Sequence, residues 1–244
     1  MDEKQFQYGP ATPCGAPEMA LSPELREALH EHLADLKEQY QQRGWAGRVG
    51  FGQRPALIVI DLALSWTRPR ASLGSDLDPV VNATVDLLEA ARASSIPIFF
   101  TTGLHDPAEP KQPALKKFVY ATDIDFGDEF SLDARLERRA SEKLIAKPYA
   151  SAFKGTHLEQ MLATLGVDTV IVAGCSTSHC VYATCRDAVE HYHVIVPREA
   201  VGDRSELLHE VNLFDIDVGI GDVLATQEVV NWLRERATPE PSGR

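Results

Sequence analysis

An α/β fold, with a doubly wound parallel six-stranded sheet and helices on both faces, is predicted by three features of this sequence. Short continuous apolar runs recur along the chain, segments of helical periodicity separate them, and 244 residues of which 44% are hydrophobic can bury one substantial core. The first run, ALIVID from Ala56 to Asp61, has the unbroken apolar character of a strand buried on both faces. Similar runs follow at Ile96 to Thr101, Lys143 to Ala146, Thr169 to Ala173, His193 to Val196 and Asp222 to Ala225. Helical patterns at Pro79 to Ala93, Thr156 to Leu165, His179 to His191, Ser205 to Phe214 and Thr226 to Arg234 lie between and after them. Strands alternating with helices imply right-handed crossovers.

An N-terminal extension precedes this core. Residues 1–20, with Pro10, Pro13 and Pro17, suit a flexible arm. Ser22 followed by Pro23 then signals a helix start, and Leu25, Leu29, Leu33 and Leu36 recur at three and four residues, predicting an amphipathic helix to about Gly44. Its apolar stripe requires a partner surface, in its own domain or on another subunit. The expected organisation is an arm and helix over 1–50, one catalytic domain over 51–237 and a disordered tail over 238–244.

A formal net charge of −12 opposes binding to phosphate backbones and anionic lipid, so neither nucleic acid nor membrane is expected as a partner. The N-terminus has no signal-like apolar run, which leads us to expect a cytoplasmic protein. Four cysteines are too few for a disulfide scaffold at this length.

Ligands of doubly wound sheets bind beyond the carboxyl ends of the strands, where the winding reverses. Asp61 ends the first strand, Lys147 the third, and the loop from Gly174 to Cys180 follows the fourth. In VAGCSTSHCVYATCRDA, Cys180 is expected in the first turn of a helix, where backbone N–H groups and the helix dipole stabilise a thiolate and an oxyanion. Residues 103–142 make a connection too long for an ordinary loop and suit a lid or substrate-shaping insertion.

Four ordered segments resemble the cysteine hydrolases of the isochorismatase-like superfamily, in particular the N-carbamoylsarcosine amidase and maleamate amidase branch. They are ALIVID ending at Asp61, KPYASAF beginning at Lys147 with Thr156 beyond, VAGCSTSHCVYAT around Cys180, and VPREAVGDR ending at Arg204. The resemblance implies a strand order of 3-2-1-4-5-6 and a catalytic triad of Asp61, Lys147 and Cys180. It also implies a cis peptide at Cys175-Ser176 and an oxyanion hole formed by the N–H groups of Ser176 and Cys180. The implied reaction is hydrolysis of a small carboxamide or N-carbamoyl compound through a thioester, with Asp61 as proton acceptor and donor.

The substrates implied by that branch carry a carboxylate, which a guanidinium holds bidentately. Arg204 is the first candidate and Arg198 the second. Trp66, with Thr67 beside it, is a candidate wall of the pocket, Thr177 a candidate pocket hydroxyl, and Tyr149 and Phe153 candidate packing supports for Lys147. His179 is read as a pocket or packing residue.

No cofactor or metal is expected. Cys180 and Cys185 point ~140° apart on a helix, and their spacing does not suit zinc. The nicotinamidases of the superfamily add a metal through an Asp-x-His…His pattern, whereas TTGLHDPAEPKQP offers only His105 and Asp106. Isochorismatases proper cleave a vinyl ether and lack the cysteine, so Cys180 points to C–N cleavage. Cys175 and Cys185 are read as packing residues and Cys14 as incidental. GIGDVL, with Gly219 and Gly221, lacks the third glycine of a dinucleotide fingerprint. The resemblance further implies a homodimer or homotetramer, for which the Leu25 to Leu36 stripe is a candidate interface.

Overall fold

The computed structural model describes residues 20–69, 74–103 and 130–237. Its centre is a parallel sheet of seven strands: β1 (Pro55–Ile60), β2 (Ile98–Gly103), β3 (Lys143–Lys147), β4 (Thr169–Cys175), β5 (His193–Pro197), β6 (Val201–Gly202) and β7 (Asp222–Leu224). The order is β3-β2-β1-β4-β5-β7, with β6 paired to the end of β4. The six expected strands are all present in the expected order, the last of them being β7. The addition is β6, two residues that pair with Gly174 and Cys175 and are too short to register as an apolar run.

Around the sheet lie α1 (Pro23–Gln42), α2 (Leu64–Thr67), α3 (Asp78–Ala93), α4 (Leu158–Thr164), α5 (Tyr182–Ala188), α6 (Glu206–Gly219) and α7 (Thr226–Ala237). Alternation along each strand divides the core in two. Ile58, Ile60, Val170, Val172, Val194 and Val196 face Leu158 and Leu162 of α4, Cys185 and Ala188 of α5, and Leu213 and Ile216 of α6. The intervening Leu57, Val59, Ile171, Ala173 and Ile195 face Leu87 and Leu88 of α3 and Val229, Val230 and Leu233 of α7. Both strand faces are therefore buried, which is why no polar residue interrupts these runs. Each fully buried Leu, Ile or Val contributes about 1.5–3 kcal/mol.

The N-terminal helix forms where its signals place it: the Ser22 hydroxyl accepts from Leu25 N at 3.3 Å, and Pro23 occupies the first turn. None of its residues is buried. It packs on α6, held by ion pairs of Arg26 with Glu206 and Lys37 with Asp217, a His30–Glu210 contact at 3.5 Å, and an edge-on contact of Tyr40 with Phe214. The α6 helix runs to Gly219, beyond the expected Phe214, because Ile216 and Val218 continue its buried face. No described helix is long and apolar enough to cross a membrane. The expected arm, the 238–244 tail, Cys14 and most of the 103–142 insertion lie outside the described residues.

Candidate active site

The chain winds to one side of β1 through β2 and β3 and to the other through β4, β5 and β7, so the carboxyl ends of β1 and β4 flank the reversal. Three side chains meet there. Lys147, the last residue of β3, places Nζ 2.7 Å from Asp61 Oδ2 and donates to Cys180 Sγ at 3.4 Å. The Asp61 and Lys147 side chains are each only 4% exposed and Cys180 is buried, so these contacts are shielded from solvent screening.

Each member is oriented by neighbours. Asp61 adopts a left-handed backbone, φ 50°, directly after β1, and its Oδ1 accepts from Thr101 Oγ1 at 2.7 Å. Such a conformation is unfavourable for a residue bearing a Cβ and persists where surrounding structure enforces it. Here Thr101 O and Oγ1 both accept from Asp61 N, and Cys175 Sγ donates to Asp61 O at 3.3 Å. Lys147 Nζ also donates to the Tyr149 carbonyl at 3.1 Å. Support from Tyr149 thus comes through its backbone, whereas its ring is exposed under Lys154. Phe153 stacks on Tyr192.

Cys180 lies in a π-helical turn, Thr177–Val181, that precedes α5, rather than in the first turn of a regular helix. The Ser176 carbonyl accepts from His179 N and Val181 N, and the Cys180 carbonyl accepts from Thr184 Oγ1 at 2.7 Å, which in turn accepts from Ala152 N. The Cys175-Ser176 peptide is cis. Gly174, with φ 113°, passes so close to β1 that a Cβ would sit 2.0 Å from the Ile60 oxygen, which brings the start of the nucleophile loop against the Asp61 strand.

The electrostatics correct one expectation. Burial and then the Asp61 carboxylate push the Cys180 thiol up to about 12, against the lowering effect of Lys147, so the resting group is a thiol and not a helix-stabilised thiolate. Burial alone would lower the Lys147 ammonium, but Asp61 and Cys180 outweigh it and raise its pKa. The site is thus a buried Lys147–Asp61 ion pair beside the Cys180 thiol.

The other candidates separate. Arg204 is exposed, enters no described hydrogen bond or ion pair, and lies near enough to His179 to join burial and Lys147 in lowering its pKa. Arg198 instead pairs with Glu210 at 3.1 Å. Trp66 is half-buried against the α3 side of the core, and Thr67 beside it is buried. Thr177 is fully buried, and its hydroxyl meets His209 Nδ1 at 2.8 Å. Cys175 and Cys185 are buried free thiols. Reasoning from sequence missed Thr101, Thr184, Asp203 and His209; Thr101 had a signal, being a polar residue in the apolar strand IFFTTG. Among the described residues no cluster of three His, Cys, Asp or Glu side chains could hold a metal, and His105 and Asp106 lie outside them.

Residues 55–228 match the model of the isochorismatase domain. The chain is 35% identical over 217 residues to an N-carbamoylsarcosine amidase of Arthrobacter sp., covering 86% of this chain and 82% of that one. It is 37% identical over 203 residues to a maleamate amidohydrolase of Pseudomonas putida, covering 79% and 93%. Its fold resembles the crystal structure of a cysteine hydrolase from Pseudomonas syringae pv. phaseolicola, with a TM-score of 0.71, 23% identity, and coverage of 75% of this chain and 93% of that one. Domain match, relatives and fold together establish that the chain belongs to the isochorismatase family.

Proposed function

We propose that this protein is an amidohydrolase that cleaves the C–N bond of a small carboxamide or N-carbamoyl compound, in the manner of an N-carbamoylsarcosine amidase, with Cys180 as nucleophile. The observation that carries the reading is Lys147 Nζ bridging Asp61 and Cys180 in a buried site.

In this scheme Cys180 Sγ attacks the substrate carbonyl as its proton passes to Asp61, and Lys147 balances the charge that develops on sulfur. The N–H groups of Ser176 and Cys180 receive the oxyanion. Asp61 returns the proton to the departing nitrogen, ammonia leaves, and a thioester remains on Cys180. A water molecule then attacks that carbon, giving its proton to Asp61, and thiol and carboxylate are restored as the acid product departs. Arg204, exposed and near enough to His179 to act on its pKa, is proposed as the anchor for a substrate carboxylate; Arg198 is already committed to Glu210. Trp66, in α2 just after β1, is proposed as a wall of the pocket, whereas the Thr177 hydroxyl is taken up by His209. A maleamate-type substrate is the second reading, favoured by the 37% identical relative. Assembly as a homodimer or homotetramer is part of the proposal.

The test is ammonia release by wild type and Cys180→Ser with N-carbamoylsarcosine, maleamate and propionamide. Wild-type turnover of one of the acids, abolished in the folded variant, is expected, because a serine hydroxyl without a histidine base stays protonated. Comparable turnover by the variant would overturn the mechanism.

A further inference from the structure

Thr177 begins the nucleophile turn, three residues before Cys180 and next to the Cys175-Ser176 peptide. The buried helical threonines Thr84 and Thr184 donate to a carbonyl four residues back, Val80 O and Cys180 O. Thr177 instead reaches across to another element, meeting Nδ1 of His209 in the first turns of α6 at 2.8 Å. The adjacent Ser178 is held by the same stretch of chain, its N–H and hydroxyl both donating to Asp203 Oδ2 at 2.8 and 2.7 Å. Two consecutive residues of the turn are thus tied to 203–209, the segment that also carries Arg204.

A hydroxyl does not need a partly buried imidazole to satisfy it, and withdrawing from water a ring that can charge carries its own penalty. Burial is also the main reason that His209 titrates below the usual histidine range. The charges acting on it are Glu210 and Glu206 of its own helix, Arg198 and Asp203; the two glutamates are in turn paired with His30 and Arg26 of α1. In a neutral ring Nδ1 accepts from the Thr177 hydroxyl in one tautomer and donates to it in the other, and the hydroxyl serves either role.

We propose that His209 is a positioning residue for the hydrolysis. By holding Thr177 Oγ1 it fixes the backbone from Ser176 to Cys180, and with it the N–H groups that receive the oxyanion, in register with Arg204. This inference rests on the reading of Cys180 as nucleophile. Since displacement of a supporting group by about 1 Å can lower rates by about 10²-fold, an indirect contact of this kind should matter for turnover more than for binding.

The experiment measures kcat and KM for ammonia release from N-carbamoylsarcosine, maleamate and propionamide by the full chain. His209→Leu should lower kcat about tenfold to a hundredfold with KM changed less than about threefold. His209→Asn, which keeps a hydrogen-bonding atom close to the place of Nδ1, should recover most of that loss. Thr177→Val should reproduce the His209→Leu defect, and the double variant should be no worse than either single one. Wild-type kcat in His209→Leu, equal losses in Leu and Asn variants, or additive losses in the double variant would each overturn the proposal. Should His209→Leu fail to fold, Thr177→Val and His209→Asn decide it, unchanged kcat in the former counting against it. Turnover retained in Cys180→Ser, or no ammonia from any of the three compounds with wild type, would mark failure of the underlying amidase reading instead.

Discussion

Of the three residues proposed for the chemistry, Lys147 and Asp61 occupy positions that their residue types avoid unless paired. Lys147 is buried at the end of an edge strand, Asp61 is buried in a left-handed backbone conformation, and Cys180 sits against the ion pair they form. The consequence for pH is specific. Cys180 is pushed up to about 12 and Lys147 lies above the usual lysine range, so neither loses its proton across neutrality. A raised lysine pKa means that its pairing holds below its ordinary value and is lost only as pH rises through the folded one. We expect kcat/KM to show no alkaline decline below ~pH 9, and a decline centred near ~pH 7 would contradict this charge assignment. Specificity is tested by Arg204→Ala. Because Arg204 is exposed, its pair with a substrate carboxylate is worth up to about 1 kcal/mol, or about fivefold in kcat/KM. That loss should fall on N-carbamoylsarcosine or maleamate and spare a neutral amide, so equal losses on both would make Arg204 structural.

At the scale of elements, legibility followed how local the determinant was. The start of α1 was readable because Ser22 and Pro23 act within one turn, and the strands because two-sided burial leaves an unbroken apolar run. The nucleophile turn was readable as a loop leading to a helix but not as a π-helical turn, since its shape depends on Asp203 and His209, more than twenty residues away. Strand β6 escaped for a similar reason, being defined by pairing with β4 rather than by its own two residues. Asp168 gives another long-range device: its carboxylate accepts from Gln53 N, Arg54 N and Thr169 Oγ1, fastening the approach to β1 against the start of β4. Burial would raise its pKa, but the Arg54 and Gln53 N–H groups and the Thr169 hydroxyl prevail and lower it, so its contribution is present above the unfolded carboxylate value and fades as pH falls. Asp168→Ala should cost about 1–3 kcal/mol. Thermal unfolding at neutral pH should show a lower Tm for the variant, with the gap to wild type narrowing in acid; a gap that persists unchanged in acid would mean that charge is not the cause.

At the scale of the whole molecule, the α/β class and the two-layer core follow from pattern and the sheet order from the family resemblance, whereas the N-terminal helix is proposed to act beyond one chain. The α1 helix has no buried residue, yet it is held on α6 by ion pairs that are each worth at most ~1 kcal/mol at a surface and are screened by salt. Where these helices meet, Leu25 is 55%, Leu207 43%, Leu208 41% and Val211 42% exposed, so apolar side chains from both elements face outward near the Arg26–Glu206 pair. Exposed apolar groups gathered in this way can mark interfaces, and for the homo-oligomer proposed above the simplest partner is the same surface of a second copy about a two-fold axis. This surface begins three residues after Arg204, so association would also brace the segment that carries the proposed carboxylate anchor. Sedimentation of the full chain should therefore show a dimer or tetramer at micromolar concentration, and Leu208→Glu with Val211→Glu should shift it toward the monomer while circular dichroism stays unchanged. If the anchor segment is braced by assembly, the monomeric variant should raise KM for the carboxylate substrate more than it lowers turnover of a neutral amide. A wild type that sediments as a monomer, or a double variant that stays assembled, would show that these side chains do not join subunits.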